Sequence, residues 1–156
     1  MEAHRMKLIL LVEDSRFLQL ANERALAKAG YSVVTAGDGE EGLRTAYARL
    51  PELILLDMLL PQLGGVEVLH ALRNDPRTAL IPVIVLSSLP QKNETKLKKA
   101  GATAYFEKSQ LDLDKHSDSL INIVKKTLND FDEHHSQAVP GGEVLSSSQG
   151  VGARQM

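Results

Sequence analysis

Leu53-Ile54-Leu55-Leu56-Asp57 is an unbroken apolar run that stops on a carboxylate, and Met58-Leu59-Leu60 follows it. Its apolar residues do not alternate with polar ones, which marks a strand covered on both faces, as in the middle of a parallel sheet. An aspartate at the end of such a strand is costly unless it is paired, bound to a metal, or placed at the strand's exit into a cleft. Leu8-Ile9-Leu10-Leu11-Val12 repeats the pattern and stops on Glu13-Asp14.

Working outward, Met6–Val12, Tyr31–Ala36, Leu53–Leu56, Ile81–Ser87 and Thr103–Glu107 read as strands. Helical periods lie between them. Leu18, Ala21, Ala25 and Ala29 share one face of a first helix that Gly30 closes. Asp38 caps a second helix through about Leu50. A third spans about Gly65 to Asn74, with Val66, Leu69 and Leu72 spaced for burial. A fourth, lysine-rich, spans about Gln91 to Ala100 and stops at Gly101. The last carries the stripe Leu120, Val124, Leu128 and Phe131. Serial βα units predict an α/β domain with a doubly wound parallel sheet. After about Asp132 the period is lost, so a domain over residues 1–131 and a flexible tail over 132–156 are expected.

With 156 residues, 43% apolar and 24% charged, the chain has room for one sizeable core. A formal net charge of -2 argues against a broad nucleic-acid-binding surface. The absence of cysteine excludes disulfides, thiolate catalysis and cysteine-ligated metal centres. The apolar run before Glu13 is too short for a signal peptide, and none reaches the roughly 20 residues of a membrane-spanning helix. A cytoplasmic protein is expected.

In a five-stranded doubly wound sheet of order 2-1-3-4-5, the first and third strands are neighbours at the switch point, where ligands bind at the carboxyl ends. Glu13, Asp14 and Asp57 then share one crevice. Carboxylates about 4 Å apart repel by roughly 4 kcal/mol per pair at an effective dielectric of about 20. A cation must sit among them, and magnesium, a hard ion that takes oxygen ligands and keeps positions open for phosphate, fits best. The fourth strand ends at Ser87-Ser88 with a hydroxyl, the fifth at Lys108 with an ammonium suited to a phosphoryl oxygen. The set is a site for an incoming phosphoryl group, with Asp57 as nucleophile.

Glu13-Asp14, Asp57, Ser87 and Lys108, in that order, resemble the receiver domain of bacterial two-component response regulators. Pro61, Gly64-Gly65 and Ala100-Gly101-Ala102 support the resemblance, which covers roughly residues 6–131. It implies a flavodoxin-like (βα)5 fold and a single-domain regulator that takes a phosphoryl group on Asp57 from a sensor histidine kinase or phosphotransfer protein. Asp14, Asp57 and the backbone carbonyl of Leu59 would hold Mg2+, with Glu13 acting through water. Lys108 and Ser87 would contact the phosphoryl oxygens, and Tyr105 matches the aromatic switch. Output would pass through the helix 4–strand 5–helix 5 face to a protein, without direct DNA binding or membrane contact, from a monomer or weak homodimer.

Some residues depart from the family pattern. Ser109 follows the lysine where the family usually has proline, which leaves a cis or trans Lys108-Ser109 peptide open. Leu59 and Leu89 are apolar at positions that flank the phosphoryl group, which predicts a long-lived phosphorylated state. Gly37-Asp38-Gly39-Glu40-Glu41-Gly42 satisfies the dinucleotide-binding pattern, but it follows the second strand and carries carboxylates where a pyrophosphate would lie. His134-His135 and the lysines Lys96, Lys98 and Lys99 read as solvated residues, the lysines also suiting an acidic partner. Two alternatives come from other classes. A phosphatase with an aspartate nucleophile of the haloacid-dehalogenase type needs Asp-x-Asp, whereas the chain has Asp57-Met58-Leu59. A degenerate receiver acting only as an interaction module would not need the full set of competent side chains.

Overall fold

A computed structural model of the chain describes residues 5–60, 62–87, 94–108 and 113–142. The elements alternate as β1 (Leu8–Val12), α1 (Arg16–Lys28), β2 (Ser32–Ala36), α2 (Gly39–Arg49), β3 (Leu53–Asp57), α3 (Gly65–Asn74), β4 (Val83–Ser87), α4 (Glu94–Lys99), β5 (Ala104–Glu107) and α5 (Leu113–Gly142). All strand pairs are parallel, and the sheet order is β2-β1-β3-β4-β5.

The apolar runs explain this architecture. Every residue of β3 and β4 is buried, as is all of β1 beyond Leu8. Along the central strands alternate residues face opposite layers. Leu10, Val12, Ile54, Leu56, Val83 and Val85 pack with Ala46, Val68, Leu69, Leu72 and Leu97 from α2, α3 and α4. Ile9, Leu11, Leu53, Leu55, Ile84 and Leu86 pack with Leu26, Leu120, Val124 and Leu128 from α1 and α5. Each fully buried Leu, Ile or Val contributes about 1.5–3 kcal/mol, so a slip that exposed one central strand would forfeit most of the net stability.

The helix ends follow local chemistry. Ser15 Oγ accepts from Leu18 N at 3.3 Å to start α1, and Asp38 Oδ1 accepts from Glu41 N at 2.8 Å to start α2. Gly30, at φ 103, follows α1 as expected, in a backbone region that residues with a Cβ avoid.

The structure adds detail to four expectations. In α1 the buried positions are Gln19, Asn22 and Leu26, while Leu18, Ala21, Ala25 and Ala29 flank them half-exposed. The small alanines suggested the wrong centre, because two of the residues at the true centre are amides. In α3 the buried residues include Val68, and Val66 is 39% exposed. Phe131 is only half-buried at the end of the α5 stripe. Helix α5 itself continues to Gly142, past the expected start of the tail at 132. At the expected boundary Lys7 Nζ lies 2.7 Å from Asp132 Oδ2. Pro61, Ser88, Leu89, the expected start of the fourth helix at Gln91, Ser109 and residues 143–156 lie outside the described residues.

Candidate functional site

Sheet register assembles the site at the carboxyl edge. Val12 pairs with Leu56, so Glu13 comes level with Asp57. Asp57 pairs with Leu86, one residue before Ser87, and Ser87 pairs with Glu107, one residue before Lys108. The four strand ends therefore bring together residues separated by up to 95 positions. Met58 N donates to Leu86 O at 3.0 Å and Lys108 N to Ser87 O at 2.7 Å, which carries the strand pairing past the site.

The side chains converge. Lys108 Nζ lies 3.0 Å from Glu13 Oε1 and 3.2 Å from Asp57 Oδ1. The other Glu13 oxygen accepts from Ser15 N at 3.1 Å, where α1 begins. Glu13 and Asp57 are buried, at 1% and 4% exposure, whereas Asp14 is open to solvent. Leu59 N lies 3.4 Å from Asp57 Oδ1, which brings the β3–α3 connection against the carboxylate. Leu59's own side chain is 64% exposed.

Burial, and then the neighbouring charge of Glu13, push the Asp57 carboxyl up to about 6 despite the opposing pull of Lys108. For Lys108, burial works against the ammonium, but its hydrogen bond to Glu13 and the charges of Asp57 and Glu13 prevail, and its pKa is raised. Both groups are thus charged above pH 6, with the lysine short of neutralising its surroundings.

One oxygen from each of Glu13, Asp14 and Asp57 lies within 4.8 Å of the others, so the three could hold a metal ion. The donor set is all oxygen, which suits a hard cation. Three carboxylates and one ammonium leave an excess of two negative charges, which one divalent cation would balance. Both Glu13 oxygens already have donors, Ser15 N and Lys108 Nζ.

Ser87 is buried at the end of β4. Tyr105 is 8% exposed, packed with the α3 and α4 side of the core and in register with Val85. It also lines a groove of about 520 Å³ on the α4–β5–α5 face, with Glu94, Lys98, Lys126 and Thr127. The glycine-rich loop after β2 serves packing and capping. Gly37 N donates to Glu41 Oε1 at 2.8 Å, Asp38 caps α2, and Gly39 lies so close to the Leu63 carbonyl that no Cβ fits. Sequence reasoning missed Gln19, whose buried amide reaches the β1 end. Its only signal was its helical spacing with Ser15, Asn22 and Leu26.

The response regulator receiver domain family matches residues 9–119. The chain belongs to this family, the receiver of two-component response regulators. Among curated proteins, it is 36% identical over 103 residues to the alkaline phosphatase synthesis transcriptional regulatory protein PhoP of Bacillus subtilis, a match covering 65% of this chain and 42% of PhoP. It thus spans less than half the length of that relative. It is 31% identical to the polar-differentiation response regulator DivK of Brucella anthropi, over 65% of this chain and 84% of DivK. Among solved structures, the chemotaxis response regulator CheY4 of Vibrio cholerae superposes with a TM-score of 0.72 at 26% identity, covering 79% of this chain and 99% of CheY4. Among the described residues, no helix is long and apolar enough to cross a membrane.

Proposed function

We propose that the chain is a phosphorylation switch in which Asp57 accepts a phosphoryl group, with Mg2+, from the phosphohistidine of a sensor kinase or phosphotransfer protein. The observation that carries this reading is Lys108 bridging Glu13 and Asp57 beside Asp14 at the sheet's switch point. Asp14, Asp57 and the Leu59 carbonyl are the direct metal ligands in this reading, and Glu13 acts through water. Bound there, Mg2+ would neutralise carboxylate and phosphoryl charge.

A carboxylate oxygen of Asp57 forms the new P–O bond as the P–N bond to the donor histidine breaks, and the electron pair leaves with the imidazole. Lys108, already 3.2 Å from Asp57, shifts its ammonium to the arriving phosphoryl oxygens. Ser87 supplies a hydroxyl to another oxygen, and Tyr105 follows that movement within the α4 side of the core. The transferred group is activated in the donor, so positioning and charge neutralisation suffice. Hydrolysis of the acyl phosphate resets the switch. The receiver domain spans residues 1–131, and its output is presented to a protein on the α4–β5–α5 face, where the groove beside Tyr105 joins acidic Glu94 and Asp130 to basic Lys98 and Lys126.

Incubation with magnesium and acetyl phosphate, and separately with a phosphorylated kinase, followed by intact mass, tests the proposal. A single phosphoryl adduct is expected in wild type and none in Asp57→Asn. An unchanged adduct in Asp57→Asn, or none in wild type with either donor, sinks it.

A further inference from the structure

Where β1 ends, the chain turns into α1 within a few residues, and Glu13 and Asp14 occupy that turn. The turn is held from inside the helix. Gln19 is 7% exposed, and its Nε2 donates to the main-chain oxygen of Glu13 at 3.0 Å and lies 3.5 Å from that of Ala36. Arg16 Nη1 donates to Gln19 Oε1 at 3.2 Å. Carbonyls on one side and a guanidinium on the other leave a single orientation for the amide. Glu13 N also donates to Ala36 O at 3.0 Å, so the Glu13 backbone is held through both its N–H and its C=O.

A buried amide gains nothing in apolar burial over leucine or methionine and costs about 1–3 kcal/mol if unbonded. Its value lies in what it holds. The Glu13 carbonyl and the Asp14 nitrogen share one planar peptide, so a bond to that oxygen orients the plane from which the Asp14 side chain departs. The Glu13 side chain is held separately, by Ser15 N and Lys108. The geometry points to Gln19 as a positioning residue for the metal-binding carboxylates, acting through the Glu13–Asp14 peptide. The inference rests on the reading of Glu13, Asp14 and Asp57 as a magnesium site.

The test titrates magnesium into the full chain by calorimetry, for wild type, Gln19→Met and Leu26→Val. Thermal unfolding in chelator and hydrogen exchange at the Glu13 amide are measured on the same proteins. Gln19→Met preserves the volume but removes the donor. It is expected to weaken magnesium binding by about 10-fold or more, as for other residues that orient metal ligands, and to speed exchange at Glu13. Leu26→Val, on the same buried face, lowers the unfolding temperature and leaves the magnesium affinity as in wild type. Equal affinity in Gln19→Met and wild type overturns the inference alone. So does a loss that Leu26→Val shares in proportion to its lost stability. Wild type that takes up no magnesium overturns the metal reading and this inference with it.

Discussion

Leu59 stands two residues beyond Asp57 with 64% of its surface exposed, beside a carboxylate that is itself buried. Its amide lies 3.4 Å from Asp57 Oδ1, and under the proposed phosphorylation its side chain stands beside water's approach to the acyl phosphate. An apolar side chain cannot hold or orient that water; an amide can. A hydrogen bond worth about 1 kcal/mol to the attacking water is about fivefold in rate. Phosphorylated Leu59→Asn is therefore expected to lose its phosphoryl group about fivefold faster than wild type, followed as phosphate release after removal of the donor. Equal decay would show that Leu59 has no part in the lifetime. Leu59 was conspicuous in the sequence because it departs from the receiver-family pattern at a position that flanks the phosphoryl group. Gln19 was not, because a glutamine in a helix is ordinary until its burial and its partners are known.

Among the elements, the start of α3 lies directly against the end of β3, where Asp57 stands. A Cβ placed on Gly65 would lie 2.9 Å from the Asp57 carbonyl oxygen and 2.9 Å from the Met58 Cα, both backbone atoms. Gly65 N also donates to Met58 O at 3.2 Å. Neither partner can yield without moving the strand end that carries Asp57. Gly65→Ala is expected to cost about 1–3 kcal/mol by overpacking and to slow labelling by acetyl phosphate at temperatures where the variant stays folded. Urea unfolding and the labelling rate check the two effects; a variant as stable and as fast as wild type would refute the contact's importance. The glycine pair Gly64-Gly65 was legible in the sequence, but the reason for it was not. That reason is a close approach between elements, and spacing along the chain carries no information about it.

For the molecule as a whole, the site opposes the fold that builds it. Burial and Glu13 hold the Asp57 carboxyl at about 6, above its ordinary 3.8, so the folded chain binds that proton more tightly than the unfolded chain does. The stability tied to the protonated form is present below about pH 4 and is lost as pH rises through about 6. Asp57→Asn removes the charge, while Lys108 keeps Glu13 at 3.0 Å. Without metal, at about pH 7.5, Asp57→Asn should melt about 4 °C or more above wild type, with the gap closing toward pH 4 and magnesium narrowing it by stabilising wild type. Melting curves at the two pH values test this; an Asn variant no more stable than wild type at about pH 7.5 would refute it. By itself, the sequence determined the strand runs, the order of the βα units and the identities of the strand-end groups, because periodicity and local cost are properties of neighbouring residues. Only the tertiary structure decided which amides are buried in α1, how far α5 runs past the apolar stripe, and that Lys108 bridges Glu13 and Asp57. Those outcomes depend on distances between segments far apart in the chain, which parallel strand register sets and local pattern does not.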